Sequence, residues 1–151
     1  MKKVLIGYGT RYGSTGEIAH RIADSLEKQE LEVDLVDLAD NQPDLEGYDG
    51  FIFGSSIKIG KWTKDARKFL EGNQEKLNES GKPLGIFVCC ATAKETEGIS
   101  KAKKDYIDDF LSDKPISPEI ADAFGGVVDF TKDSNIGFLG RKALKMVMKE
   151  E

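Results

Sequence analysis

The sequence predicts a three-layer, doubly wound α/β domain over residues 1–151, with a five-stranded parallel sheet in the order 2-1-3-4-5. Three observations carry this prediction. Val4–Ile6, Phe51–Phe53 and Leu84–Cys90 are short apolar runs, the pattern of strands buried on both faces of a parallel sheet. Segments with apolar residues at helical spacing alternate with these runs, as βαβ units require. No repeat, low-complexity stretch or linker interrupts the alternation, and 151 residues is one domain's length.

The elements follow in order. Val4, Leu5 and Ile6 form the first strand, which Gly7 and Gly9 end. Thr10–Thr15 is a loop of small hydroxyl and glycine residues. From Glu17 a helix places Ile18, Ile22, Ala23 and Leu26 on one stripe and ends near Gln29. His20, the single histidine, lies off that stripe and reads as a surface residue. Leu31 to Leu38 alternates apolar and acidic residues, the mark of a half-covered edge strand. Asn41-Gln-Pro-Asp44 is a turn. Tyr48–Gly54 is a central strand, Ser55–Trp62 a loop, and a helix with Ala66, Phe69 and Leu70 inward runs to about Leu77. Gly81-Lys-Pro83 breaks the chain before the fourth strand, Leu84–Cys90, and the small, polar loop Ala91–Gly98. Ser100–Leu111 is a helix packed through Ala102, Tyr106, Ile107 and Phe110, ended by Pro115 and Pro118. Phe124–Phe130 is the fifth strand, in which Gly126 marks a bulge or a close backbone approach, and Phe138–Met148 is the closing helix.

Composition bounds the function. A net charge of −5 argues against general nucleic-acid binding, which needs a basic surface. Gly7 interrupts the first apolar run too early for a signal peptide, and no stretch is long enough to span a membrane. Cys89 and Cys90 are neighbours that point to opposite faces of a strand, so they do not form an ordinary disulfide. These features together predict a cytoplasmic protein. There is no Ser/His/Asp set and no metal-ligand spacing.

For this strand order, ligands bind where the order reverses, between strands one and three. The loops that converge there are Thr10–Thr15, Ser55–Trp62 and Cys89–Gly98. The first has the parts of a phosphate site. The amino end of a helix offers unpaired N–H groups, Thr10, Ser14 and Thr15 offer hydroxyls, and Gly13 lets the backbone come close. Neither the Gly-Lys-Ser/Thr of a nucleoside triphosphate loop nor the Gly-x-Gly-x-x-Gly of a dinucleotide fold occurs at this turn. Spacing alone leaves phosphate binding and simple helix capping both open.

Thr10-Arg-Tyr-Gly-Ser-Thr15 resembles the phosphate loop of flavodoxins, and Tyr48-Asp-Gly-Phe-Ile-Phe-Gly-Ser-Ser56 resembles their third strand and its exit. The resemblance covers nearly the whole chain. It implies FMN as cofactor and no catalytic residues of the protein's own. The phosphate would be held at Thr10, Arg11, Tyr12, Gly13, Ser14 and Thr15, and the ribityl chain near Ser55 and Ser56. Ile57, Lys58, Ile59 and Gly60 would form the first ring loop, with Ile59 on a ring face. The peptide at Gly60 would be able to flip towards flavin N5–H, because a residue without Cβ tolerates both states. Cys90, Ala91, Thr92 and Ala93 would approach the pyrimidine edge. Many flavodoxins stack an aromatic on each ring face, yet neither Ile59 nor the 89–98 loop supplies one. Trp62 is either a ring neighbour or a core residue.

Arg11, the Ser55–Gly60 stretch and the closing Gly137–Lys149 segment resemble one branch, the flavodoxin-like quinone-dependent protoporphyrinogen dehydrogenases. That branch carries a longer segment before its last helix, where this chain has only Thr131–Ile136. The resemblance therefore implies a low-potential, non-enzymatic one-electron carrier. Its partners would be redox proteins such as ferredoxins or flavin/iron–sulfur oxidoreductases. The alternative is a flavin-dependent oxidoreductase of the protoporphyrinogen dehydrogenase type; a flavin-free binding module is a third reading. The last helix has a basic face of Arg141, Lys142, Lys145 and Lys149. It reads as packing on the sheet, with membrane contact through Phe138–Lys149 as the alternative.

Overall fold

A computed structural model describes residues 2–11, 14–90 and 96–125 of the chain, with only the backbone described at Ser14 and Thr96. Its sheet is built from β1 (Lys3–Gly9), β2 (Glu32–Asp37), β3 (Gly50–Lys58), β5 (Leu84–Cys89) and β6 (Ile120–Phe124), all parallel, in the order β2-β1-β3-β5-β6. The two-residue β4 (Lys61–Trp62) folds back antiparallel onto β3. Without β4, this is the expected 2-1-3-4-5 order.

The side-chain alternation of β1 assembles the layers. Val4 and Ile6 face α1 (Ser14–Glu27), whose Ile18, Ile22 and Leu26 are fully buried. Leu5 faces the other way, into a cluster with Phe51, Phe53 and the buried side of α2 (Lys64–Ser80). Residues 96–111 complete that second layer as α3 (Thr96–Lys103), one π-helical turn (Lys104–Asp108) and α4 (Asp109–Leu111). Thr63 caps α2, its hydroxyl accepting from the Ala66 N–H at 3.3 Å, and Gly81 at φ 65° closes it.

Five element boundaries differ from the sequence-based expectation. β1 spans Lys3–Gly9, longer than the Val4–Ile6 run expected to be ended by Gly7 and Gly9. β3 continues to Lys58 and turns back as β4, so the expected 55–62 loop is a hairpin in which Ile57 pairs with Trp62 and Lys58 with Lys61. α2 runs past Leu77 to Ser80, and α3 begins at Thr96 instead of Ser100. The last described strand is Ile120–Phe124, so Phe124 ends a strand it was expected to begin. Burial explains the shift: Ile120, Ala123 and Phe124 all lose their exposure against β5 and the core. The expected strand beyond Gly125, the 131–136 connection and the Phe138–Met148 helix lie outside the described residues.

Candidate functional site

The strand order reverses between β1 and β3, and their carboxyl ends lie side by side with Gly9 opposite Ser55 and Ser56 opposite Cys89. Gly9 is needed there: an added Cβ would collide with the Thr63 hydroxyl and sit 2.9 Å from the Ala66 Cβ. Its absence lets the start of α2 close onto β1. Thr15, in the first turn of α1, is fully buried, with Oγ1 2.6 Å from Ser56 Oγ. The same side chain lies near enough to the Cys89 thiol to favour its ionised form. One hydroxyl thus ties α1 to the end of β3. Burial pushes the Cys89 thiol up to about 12, against the lowering effect of Thr15, so Cys89 is no nucleophile at neutral pH.

The two adjacent serines do different work. Ser55 is fully buried; its Oγ accepts from the Thr63 N–H at 2.9 Å and donates to the Ser56 carbonyl at 2.9 Å. That hydroxyl is used inside the fold. Ser56 is half-buried and lies at the mouth of the reversal point. Next to it, the first N–H groups of α1 lack partners within their own helix and carry the positive end of its dipole.

The hairpin turns through Ile59 at φ 52° and Gly60 at φ 72°, the paired positive angles of a primed two-residue turn. Glycine meets that demand freely; isoleucine does not. Ile59 is also 88% exposed, the only large exposed hydrophobic side chain among the described residues. Arg11 clamps the base of this hairpin, donating to the carbonyls of Ser56 (3.2 Å), Lys61 (3.4 Å) and Trp62 (3.1 Å).

Trp62 lies in the core at 5% exposure, stacked on Phe110 with centroids 4.5 Å apart. Its Nε1 donates to the Tyr106 carbonyl at 2.8 Å, a group within the π-helical turn. Trp62 thus has the burial and packing of a core residue. Cys90 is buried, its N–H donating to the Phe124 carbonyl at 2.9 Å. Ile57 and Lys58 lie on the hairpin's first strand. Tyr12, Gly13, Ala91, Thr92 and Ala93 lie outside the described residues. The structure thus brings together Thr10, Arg11, Thr15, Ser56 and the 57–60 turn.

Sequence reasoning left Tyr8 without a role. Its ring leans over Gly16, where an added Cβ would lie 3.2 Å from it. With Thr10, His20 and Arg21 it lines a cavity of about 510 Å³ on the α1 side of the site. Burial, then Asp37 and Asp40, raise its phenol above the usual tyrosine range. The signal was present in the strand's alternation, since Tyr8 continues the Val4 and Ile6 face to the carboxyl end of β1.

A doubly wound sheet whose order reverses beside a helix start and a glycine turn belongs to the class of open α/β sheets whose ligand crevice lies at the carboxyl ends of the strands. The flavodoxin domain family matches residues 5–151, and the chain belongs to that family. Membership makes it a flavin-binding redox protein in broad outline. Protoporphyrinogen IX dehydrogenase [quinone] of Escherichia coli K12 is 24% identical over 148 residues, which is 97% of this chain and 79% of that protein. Flavodoxin 1 of Bacillus cereus superposes with a TM-score of 0.70 at 21% identity, covering 95% of this chain and 98% of that one. Rubredoxin oxygen:oxidoreductase of Desulfovibrio gigas gives 0.77 at 15% identity; it matches 99% of this chain, which spans only 37% of its length. Among the described residues no helix is long and apolar enough to cross a membrane, and no cluster of His, Cys, Asp and Glu could hold a metal ion.

Proposed function

We propose that this protein binds FMN at the strand-order reversal and acts as a one-electron carrier between redox proteins in the cytoplasm. One observation carries the reading: the amino end of α1 meets the strand that leads into the Ile59–Gly60 turn across the 2.6 Å Thr15–Ser56 contact. The residues present fit such a ligand, with helix N–H groups that have no partner within α1 for a phosphate dianion and a half-buried serine beside them.

FMN supplies the one-electron chemistry when bound. Thr10 and the first N–H groups of α1 would hold the phosphate, with Tyr12, Gly13 and Ser14 as the further residues proposed for that anchor. Ser56, held in place by Thr15, faces the ribityl chain, while Ser55 and Arg11 fix the hairpin that carries the ring contacts. Ile59 covers a ring face. The Gly60 peptide, which carries no Cβ, would be free to turn its carbonyl towards ring N5. An added Cβ at Gly60 meets nothing nearer than Tyr106 Cε1 at 3.9 Å, so only its φ of 72° resists substitution. Cys90, Ala91, Thr92 and Ala93 are the residues proposed to contact the pyrimidine edge.

Titration of flavin-free protein with FMN and with riboflavin tests this reading. The phosphate anchor predicts FMN binding tighter by about 100-fold or more. Equal affinities refute it. A second reading is favoured by the curated dehydrogenase relatives, namely oxidation of a porphyrinogen with a quinone as acceptor. Turnover of protoporphyrinogen with quinone by the purified chain would establish it.

A further inference from the structure

Charge is unevenly spread along this chain. Its net charge is −5, yet residues 58–68 hold five cations, Lys58, Lys61, Lys64, Arg67 and Lys68, against one carboxylate, Asp65. All five cations are exposed. All but Lys68 border one opening together with Ile59 and Gly60, the turn proposed to meet the flavin ring. They form a basic collar around that turn.

The fold gains nothing from this collar. Lys58 and Lys61 are register partners across the hairpin, so two like charges face each other where opposite charges would stabilise. Lys64 and Arg67 stand in the first turn of the 17-residue α2, the positive end of its dipole, where cations are disfavoured. Lys61, Lys64 and Lys68 have no carboxylate partner among the described residues, whereas Arg67 is paired with Glu71 at 3.0 Å. Between the cations stands Ile59, 88% exposed and held at φ 52°. Three placements that work against local stability meet on one face, as they do where a surface serves something outside the chain.

The surroundings of the collar decide what that is. The remainder of the chain is more acidic than the net charge of −5 indicates, so an acidic partner is repelled by most of the surface and attracted here. Asp105 and Asp109 border the same opening on its helix side. A protein can meet these two carboxylates with cations of its own; a uniformly anionic membrane cannot.

We propose that the collar of Lys58, Lys61, Lys64 and Arg67, with Ile59 at its centre, is the docking surface for an acidic redox protein. This rests on the carrier reading above and adds the polarity of the partner: it is recognised by its carboxylates, and it docks at the ring-bearing hairpin.

Titration of the isotope-labelled chain with oxidised plant-type ferredoxin, a small acidic iron–sulfur protein, tests this by amide shifts at low ionic strength, with FMN bound and without it. The expected result in both states is a set of shifts clustered at 57–68. Lys61→Glu/Lys64→Glu weakens ferredoxin binding about tenfold or more, while Lys76→Glu/Lys82→Glu, around the far end of α2, changes it less than about twofold. Both pairs change the net charge equally, so the contrast isolates position. All four lysines are exposed, so neither pair threatens folding. The first pair also raises the urea midpoint of the flavin-free chain, because its new carboxylates face Lys58 and the positive end of α2. Absent binding, shifts centred elsewhere, equal weakening by both pairs, a lowered midpoint, or tighter binding to phosphatidylserine vesicles than to ferredoxin overturns the proposal. Because the flavin-free arm is read without cofactor, failure of docking is distinguishable from failure of FMN to bind.

Discussion

Replacing Ile59 by asparagine stabilises the fold while weakening the proposed cofactor contact. Ile59 sits at φ 52°, where an L-residue's Cβ crowds the backbone at a cost of about 1–2 kcal/mol, and β-branching adds to it. At 88% exposure the side chain has little buried area to lose. Asparagine tolerates the left-handed region and completes an Asn-Gly pair, the favoured sequence for this turn. The net gain is about 1 kcal/mol. With a urea slope of about 2 kcal/mol/M, the unfolding midpoint of the flavin-free protein rises by about 0.5 M. Thermal unfolding shifts upward by about 2–4 °C. The same change removes the apolar cover proposed for a ring face, so FMN affinity falls as stability rises. An unchanged or lower midpoint, at unchanged slope, would refute the claim that this turn stores strain.

Arg11→Lys loosens the hairpin, because one ammonium cannot span the three carbonyls the guanidinium reaches; hydrogen exchange at the amides of 57–62 accelerates, and unaltered protection would contradict the clamp. Trp62→Phe keeps the stacking on Phe110 but removes the indole N–H bond to the Tyr106 carbonyl, costing about 1 kcal/mol in denaturant unfolding; a neutral result would contradict a stabilising role for that bond. Alkaline stability is set in part by Cys89 and Tyr48, both pushed up to about 12, Cys89 chiefly by burial and Tyr48 by burial and then its bond to Asp34. The folded state holds these protons after the unfolded chain has released them. Their contribution is therefore whole below about pH 9 and is lost as pH rises towards 12. The urea midpoint falls over that window, and Cys89→Ala flattens its lower part; a flat wild-type profile would contradict the burial of both groups.

The fold was legible where burial is two-sided. β1, β3 and β5 are apolar on both faces because helices cover both, and that pattern needs no tertiary information. The hairpin was hidden because its turn breaks the usual chemistry: Ile59 carries a positive φ, and Lys58 and Lys61 resemble the polar ends of a loop. β6 was misplaced because Ile120-Ala-Asp-Ala-Phe124 is only weakly apolar, while Val127 and Val128 lie just beyond. At the site, the serine pair was visible as a pair, but which member faces inward depends on strand register. Arg11 reads as a cation beside a phosphate loop; its position on three hairpin carbonyls depends on a hairpin the sequence does not announce.

Stepwise photoreduction of the FMN-loaded protein, followed by visible absorption, tests the central claim most directly. A one-electron carrier predicts a long-wavelength radical band that grows and then fades, with a lower maximum in Gly60→Ala at equal flavin occupancy. Direct bleaching to the two-electron level, with no radical band at any stage, would contradict the carrier reading.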